Sequence, residues 1–385
     1  MQKAVFRNAK GGLLSCERRP FTFRKAVFCK TICLWQNLQG WLVFINFAAM
    51  KAFVVSLLAF ACLCSCGRKP AGKPVFTVET MNKITPVKDQ GRSPLCWVYA
   101  MLAVIESDRL MQGDSVNLSP AYTARRVLER EAGRSYLSGG QVPVDATGVA
   151  PDLLDALEEY GAMPYDAYRS DCNYNVLCRR LERLAQEAAV HRIGLTRLRS
   201  RVAYMLDTAV NPLPRRVWMY SAEYTTREFA HSVCLPGDYV AMTSYTHEPF
   251  NEYVPLDVPA NRRGHKFLNV PLDTLVSRVV GALRSGRSVC WEGDITGDGF
   301  SFESGTASLT SPDARVTQAV RQRTFERLEV TDDHCMSIIG LARDASGGRW
   351  FICKNSWGTG NPYGGLMYMS EPYFRLNTVA VVMKH

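Results

Sequence analysis

Residues 89–97 read DQGRSPLCW and end in a cysteine that is followed at once by an apolar run, Trp97–Met111. The run reads WVYAMLAVIESDRLM, with its charges gathered at the far end, which predicts a buried helix. Cys96 would then occupy the first turn, where backbone N–H groups point outward and the helix dipole favours an anion. Because the thiolate is the reactive form of cysteine, this position favours a nucleophile over the alternative, a buried structural thiol.

A cysteine nucleophile needs a base, a group that orients the base, and donors for an oxyanion. His334 leads into the strand-like run DHCMSIIG, and Asn355 ends a second run, WFICKN, after the turn-forming cluster 344–348. The two runs predict a hairpin that places Asn355 beside His334, so that one ring nitrogen bonds the amide and the other faces the thiol. Gln90 is the candidate side-chain donor to the oxyanion, together with the Cys96 N–H.

In this order and spacing, Gln90, Cys96, His334 and the block NSWG at 355–358 resemble the papain superfamily of cysteine peptidases. The resemblance implies a two-lobed α+β fold, with a helical N-terminal lobe, an antiparallel β C-terminal lobe and the active site in the cleft between them. It also implies the roles: Cys96 attacks a peptide carbonyl, His334 carries the proton, and Asn355 orients His334.

Within that superfamily, the stretches 223–254, 267–294 and 378–384 are most similar to the bleomycin hydrolase and aminopeptidase C branch. The chain departs from the family at 93–95, where Ser-Pro-Leu replaces small residues before the nucleophile, and at Cys335, where alanine is usual. Two alternatives therefore stay open beside a cysteine peptidase: a peptide-binding lipoprotein that has lost catalysis, and an acyltransferase that uses the same triad.

Three further residues are candidates for the substrate side of the cleft. The resemblance implies that Gly139 and Gly140 form the glycine pair along which substrate backbone lies, since glycine permits close backbone approach; a plain loop is the alternative. Trp357 is predicted to shield the bond between His334 and Asn355 from water. The expected partner is a peptide or protein substrate.

The start of the chain has a different composition. Residues 50–66 read as a basic n-region, an apolar h-region and LCSC, which predicts a lipoprotein signal with Cys66 as the lipidated residue. Residues 1–49 are then a mis-assigned upstream extension, and 67–82 form a tether. A transmembrane helix over 41–64 is the alternative, disfavoured by a lysine in mid-span. The expected location is the bacterial cell envelope, lipid-anchored or secreted, with the lipid as the membrane attachment.

Charge and cysteine usage exclude several classes of function. Nine Lys or Arg against one acid in residues 1–66 account for most of the net charge of +10, so the remainder does not call for a nucleic-acid partner. No Cys/His spacing matches a zinc site, and neither a metal nor a cofactor is expected. Cys172 and Cys178 lie in a polar loop and are able to pair in an oxidising compartment.

A peptidase domain is predicted over 83–385, with a helical lobe at 83–210 and a β lobe at 211–385. The predicted helices are 121–132, 151–161, an Arg-rich amphipathic pair within 174–208, a core-facing helix at 272–283 and a basic surface helix at 311–327. The sequence ends at His385, immediately after the last predicted strand, whereas branch members that trim single residues carry a further tail in the cleft. Endopeptidase cleavage is therefore expected, with aminopeptidase cleavage as the alternative.

Overall fold

The structure, a computed structural model, describes residues 74–219, 221–311 and 315–385. The predicted extension 1–49, the predicted signal 50–66 and the lipidation expected at Cys66 lie outside these described residues. Among the described helices, none combines the length and the apolar character needed to cross a membrane.

From residue 74 to residue 211, the part of the N-terminal half that the structure describes, there are one short strand and five α-helices: β1 (Thr77–Met81), α1 (Cys96–Met111), α2 (Pro120–Leu137), α3 (Ala150–Tyr160), α4 (Tyr174–Val190) and α5 (Leu195–Ala209). Helix α1 is the centre of this lobe, because it carries buried side chains around its whole circumference. Helix α2 begins at Pro120, which suits a first helical turn, and the Ser119 hydroxyl accepts the Tyr122 N–H at 3.1 Å. The predicted helical lobe is confirmed.

Helices α4 and α5 are the amphipathic pair predicted within 174–208. Their apolar sides are buried in the helical lobe through Leu177, Leu181, Leu198 and Leu206. The Asn173 side chain caps α4 by accepting the Val176 N–H at 3.1 Å. Six arginines stand exposed on the outer side of the pair: Arg179, Arg180, Arg183, Arg197, Arg199 and Arg201.

The C-terminal half contains most of the strands: β2 (Val217–Met219), β3 (Ala222–Tyr224), α6 (Thr226–Val233), β4 (Tyr239–Thr243), β5 (Tyr253–Pro255), β6 (Lys266–Asn269), α7 (Leu272–Arg284), β7 (Val289–Gly293), β8 (Phe300–Ser301), β9 (Thr306–Ala307), α8 (Gln318–Glu326), β10 (His334–Arg343), β11 (Arg349–Lys354), β12 (Leu366–Ser370), α9 (Glu371–Asn377) and β13 (Thr378–Lys384). Its large sheet has the order β5-β6-β4-β13-β7-β10-β11-β12-β9-β8, and most of its pairs are antiparallel. The α+β class is confirmed.

Strand β10 connects the two lobes. It lies between β7 and β11, with His334 opposite Gly293, and the predicted hairpin of β10 with β11 is confirmed. Helix α1 packs against β10 and β7. The first residue of α1, Cys96, and the first residue of β10, His334, therefore come together at the edge where the lobes meet.

The predicted tether over 67–82 is wrong for its second half. Residues 77–81 form β1, which pairs antiparallel with β10, and the Asn82 amide donates to the Ser288 hydroxyl at 3.0 Å. A five-residue alternating stretch is a weak signal, and β1 is stable only because β10 supplies its hydrogen-bond partners.

Two other boundaries differ from prediction. The basic surface helix expected over 311–327 is the shorter α8, and its Arg321 is buried, with its guanidinium on the Ser244 carbonyl and over the Tyr245 ring. Helix α6 packs against α3, where the Thr226 hydroxyl donates to the Tyr160 carbonyl at 2.8 Å, so the chain returns to the helical lobe after residue 211.

Candidate active site

Cys96 begins helix α1 and is partly exposed, whereas its neighbour Trp97 is buried. The Leu95 carbonyl accepts the N–H groups of Val98 and Tyr99, which closes the first turn behind the cysteine. The Trp97 indole donates to the Ala146 carbonyl at 2.9 Å and fixes the helix start against the loop before α3. The thiol is thus held at the positive end of a central helix.

The surroundings of Cys96 favour its thiolate. A hydrogen bond with the Cys335 thiol lowers the pKa of Cys96 most, burial opposes it, and hydrogen bonding and charge from His334 lower the pKa further. The net effect is a pKa well below the ordinary value of 9.0. A thiolate paired with an imidazolium is the form that attacks a carbonyl.

His334 and Asn355 are joined as the hairpin predicted. His334 Nε2 lies 2.9 Å from Asn355 Oδ1, and both side chains are buried. Because the amide oxygen is an acceptor, Nε2 carries a hydrogen and Nδ1 is the nitrogen left for the thiol. The Asn355 oxygen also accepts the Ser356 N–H at 2.8 Å, which holds the amide in this orientation.

Aromatic rings surround this bond. The Trp357 ring lies 4.8 Å from the His334 ring, and the Phe300 and Phe302 rings meet the Trp357 ring edge-on at 5.8 and 5.4 Å, all measured between ring centroids. Apolar cover of this kind lowers the local dielectric constant and strengthens the hydrogen bond beneath it.

Gln90 ties the loop before Cys96 to the loop after Asn355. Its backbone N–H donates to the Ser356 carbonyl at 2.8 Å, and its side-chain oxygen accepts the Ser356 hydroxyl at 2.5 Å. The side-chain nitrogen donates to the Ser93 carbonyl at 2.8 Å. One of the two amide hydrogens of Gln90 is therefore used within the loop, which leaves the second for an oxyanion.

The predicted glycine pair directly follows helix α2. Gly139 and Gly140 end α2 with positive φ angles of 70° and 82°, and Gly140 packs against Gln186 of the inserted helix α4. A further glycine, Gly148, lies beside the start of helix α1, where an added Cβ would stand 3.0 Å from the Trp97 ring. The structure thus associates Gly148, rather than Gly139 and Gly140, with the start of α1.

Glu292 is a buried carboxyl group that sequence reasoning missed. It stands opposite Cys335 across the β7–β10 pair, and its Oε1 accepts the Ala150 N–H at the start of α3. Burial raises the pKa of Glu292 to about 8, and its Oε2 has no hydrogen-bond partner among the described residues. The group is therefore mostly a neutral acid at neutral pH, in the same layer as the candidate thiols.

Glu292→Gln is expected to raise stability at pH 8 and to flatten its dependence on pH. The wild-type group has a pKa of about 8 when folded and an ordinary value of 4.5, so the folded state retains the proton that the unfolded state releases. The free energy of unfolding of the wild type is therefore unaffected by the ionisation of Glu292 below about pH 4.5. It falls as the pH rises towards 8, by roughly 3–5 kcal/mol at most. Urea unfolding at pH 5 and pH 8 measures the difference.

Glu303→Gln is the matched control, because Glu303 is exposed and the same change of charge there leaves the pH dependence in place. A Glu292→Gln variant that keeps the wild-type slope between pH 5 and 8 would show that Glu292 is ionised in the folded protein.

Comparisons with known proteins agree with this fold. The Peptidase C1-like family matches residues 218–385, the half that carries His334 and Asn355. Aminopeptidase E of Lactobacillus helveticus is 25% identical over 368 residues, covering 80% of this chain and 82% of that protein. The crystal structure of PepW from Lactobacillus rhamnosis superimposes with a TM-score of 0.65 at 16% identity, covering 89% of this chain and 92% of that one.

The solved structure is similar in fold, whereas the family match and the aminopeptidase match are similarities of sequence. Among the described residues, no group of three or more His, Cys, Asp or Glu side chains is arranged to hold a metal ion. Together these likenesses support the papain superfamily of cysteine peptidases, on its aminopeptidase C branch, and with it a papain-like hydrolase.

Proposed function

We propose that the chain hydrolyses peptide bonds through a Cys96–His334–Asn355 triad. The Cys96 thiolate attacks the carbonyl carbon, and His334 gives its proton to the leaving amine and then takes one from the attacking water. Asn355 keeps the His334 ring turned towards the thiol. The Cys96 N–H and the second amide hydrogen of Gln90 stabilise the oxyanion.

The bond of His334 to Asn355 is the observation that carries this proposal. It selects the ring nitrogen that faces the thiol, and the same thiol lies at a helix N-terminus with a lowered pKa. The departure at 93–95 is compatible with this proposal, since the Leu95 side chain is fully buried in the helical core.

Labelling with a thiol-directed epoxide separates an active enzyme from a peptide-binding protein that has lost catalysis. An activated thiolate reacts at Cys96 within minutes, whereas Cys172, which is also partly exposed and has a pKa raised by burial, serves as the internal control. Equal labelling of the two cysteines would favour the inactive alternative. Product analysis with an added amine acceptor tests the acyltransferase alternative.

We propose further that cleavage is endopeptidic. The support is that the carboxyl groups around His334 are already engaged or neutral. An aminopeptidase cleft needs a carboxylate that pairs with the free amine of its substrate. Three carboxyl groups on the loops next to His334 each already accept a backbone N–H from a neighbouring segment: Asp294, Asp332 and Asp333. A fourth, Glu292, is buried with a pKa raised to about 8, so it is mostly neutral at neutral pH. The name of the Lactobacillus helveticus relative favours the alternative, an aminopeptidase.

A pair of fluorogenic peptides that differ only in N-terminal acetylation distinguishes the two modes. We expect kcat/KM for the free-amine peptide and for the acetylated peptide to differ by less than about tenfold, because an exposed charge pair contributes at most about 1 kcal/mol. A second pair that differs only at the C-terminus controls for blocking in general. A preference of about a hundredfold or more for the free amine would establish the aminopeptidase mode.

We propose that the mature protein begins at Cys66, acylated and attached to the cell envelope. The support is the sequence pattern of residues 50–66 alone. Mass spectrometry of the native N-terminus decides it: a diacylglyceryl cysteine is expected, and peptides from residues 1–49 in native material would contradict it.

A further inference from the structure

The thiol of Cys335 lies against the helix that carries the nucleophile. Cys335 follows His334 on β10 and is buried. It lines a small cavity together with Tyr99, Ala100 and Ala103 of α1. These three positions come three, four and seven residues after Cys96, so they share its face of the helix.

Cys96 also packs against the apolar cluster that contains Cys335. The interaction between the two thiols is the largest influence on the pKa of each: it lowers the pKa of Cys96 and raises that of Cys335 well above 9.0. Cys96 is thus the sulfur that is ionised and partly exposed, and Cys335 is the protonated sulfur behind it. A reactive thiolate with a second thiol poised next to it is the arrangement of cysteines that oxidise reversibly.

We propose that Cys335 is a resolving thiol, and that hydroperoxides convert the pair into a Cys96–Cys335 disulfide. In the first step the Cys96 thiolate attacks the peroxide, the O–O bond breaks, and Cys96 sulfenic acid and an alcohol or water form. In the second step the Cys335 sulfur attacks the sulfenic sulfur, the S–O bond breaks, and the proton of Cys335 leaves with the hydroxyl as water. Two thiols are oxidised and one peroxide is reduced.

The disulfide would protect the nucleophile from irreversible damage. Sulfenic acid that meets no thiol is oxidised further to sulfinic acid, which thiol reductants do not reverse. With Cys335 beside it, the sulfenic acid is consumed where it forms. Loss of peptidase activity on oxidation rests on the proposed role of Cys96, whereas formation of the disulfide rests on the two sulfurs alone.

The test treats wild type, Cys335→Ala and Cys290→Ala with a small excess of hydrogen peroxide, and then with dithiothreitol. Cys290 is the matched control, because it is a buried thiol of the neighbouring strand β7 in the same cluster. Peptide mapping is expected to find the Cys96 peptide linked to the Cys335 peptide in wild type and in Cys290→Ala. Each variant's recovered activity is compared with its own untreated rate.

Wild type and Cys290→Ala are expected to regain most of their activity with reductant, and Cys335→Ala less than about a tenth, with Cys96 as sulfinic acid. Cys335→Ser provides a second variant in case alanine perturbs folding. Cys96 found as sulfinic acid in wild type, or linked to Cys290, would overturn the proposal. Because mapping needs no turnover, a linked pair in a protein without peptidase activity would refute the proposed function and leave this inference standing.

Discussion

Cys96→Ala is expected to lower kcat/KM for peptide cleavage by about 10⁴-fold or more, while the protein stays folded. Alanine removes the sulfur that forms the covalent intermediate, and only binding and the oxyanion donors remain to accelerate the reaction. Helix α1 keeps its start, because the first turn is closed by the Leu95 carbonyl and not by the thiol. Initial rates on a fluorogenic peptide and a thermal unfolding curve together measure the effect.

Cys172→Ala is the control for this result, since Cys172 is likewise partly exposed but lies outside the site. We expect it to change kcat/KM by less than about twofold, as surface substitutions commonly do little. A Cys96→Ala protein that retains more than a few per cent of the wild-type rate would remove Cys96 from the nucleophile's role.

The losses of activity caused by His334→Ala and by Asn355→Ala are expected to differ in size. In the proposed mechanism His334 carries the proton in both halves of the reaction, so its loss is expected to lower kcat/KM about as much as loss of the nucleophile, on the order of 10⁴-fold. Asn355 only orients the ring, and removing a partner from a buried donor costs about 1–3 kcal/mol, which corresponds to roughly 10- to 100-fold. Single-turnover acylation rates separate the two variants.

Epoxide labelling of the same variants shows whether thiolate formation is affected. His334→Ala is expected to slow labelling of Cys96 strongly, because His334 helps to lower the pKa of that thiol. Asn355→Ala should slow it less. Equal losses in turnover, or a larger loss for Asn355→Ala, would contradict these assignments.

Local sequence patterns were sufficient to predict the helices and the hairpin, because these elements depend mainly on residues close together in the chain. The apolar run after Cys96 predicted α1 to within one residue, and the turn cluster at 344–348 predicted the pairing of β10 with β11. In both cases the partners lie within about twenty residues, where hydrophobic periodicity and turn chemistry carry most of the information.

Features that rest on distant partners were missed. The stretch 77–81 becomes a strand only through β10, more than 250 residues later, and Glu292 is buried because α3 and β10 close over it. Gly148 carries no pattern of its own, and its importance comes from the Trp97 ring that lies against it. Arg321 was predicted to lie on a surface helix, because its charge does not reveal that its guanidinium bonds the Ser244 carbonyl and stacks over the Tyr245 ring.

The position of β13 in the sheet has a consequence for synthesis. This strand comes after all the candidate site residues in the chain, yet it lies in the middle of the sheet, between β4 and β7. A nascent chain that still holds β13 within the ribosome or a translocation pore has two unjoined half-sheets, and β7, which supports His334 through Gly293, lacks its other neighbour. Cleavage activity would thus appear only once β13 has emerged and joined the two half-sheets, so that the order of translation keeps the site incomplete until then.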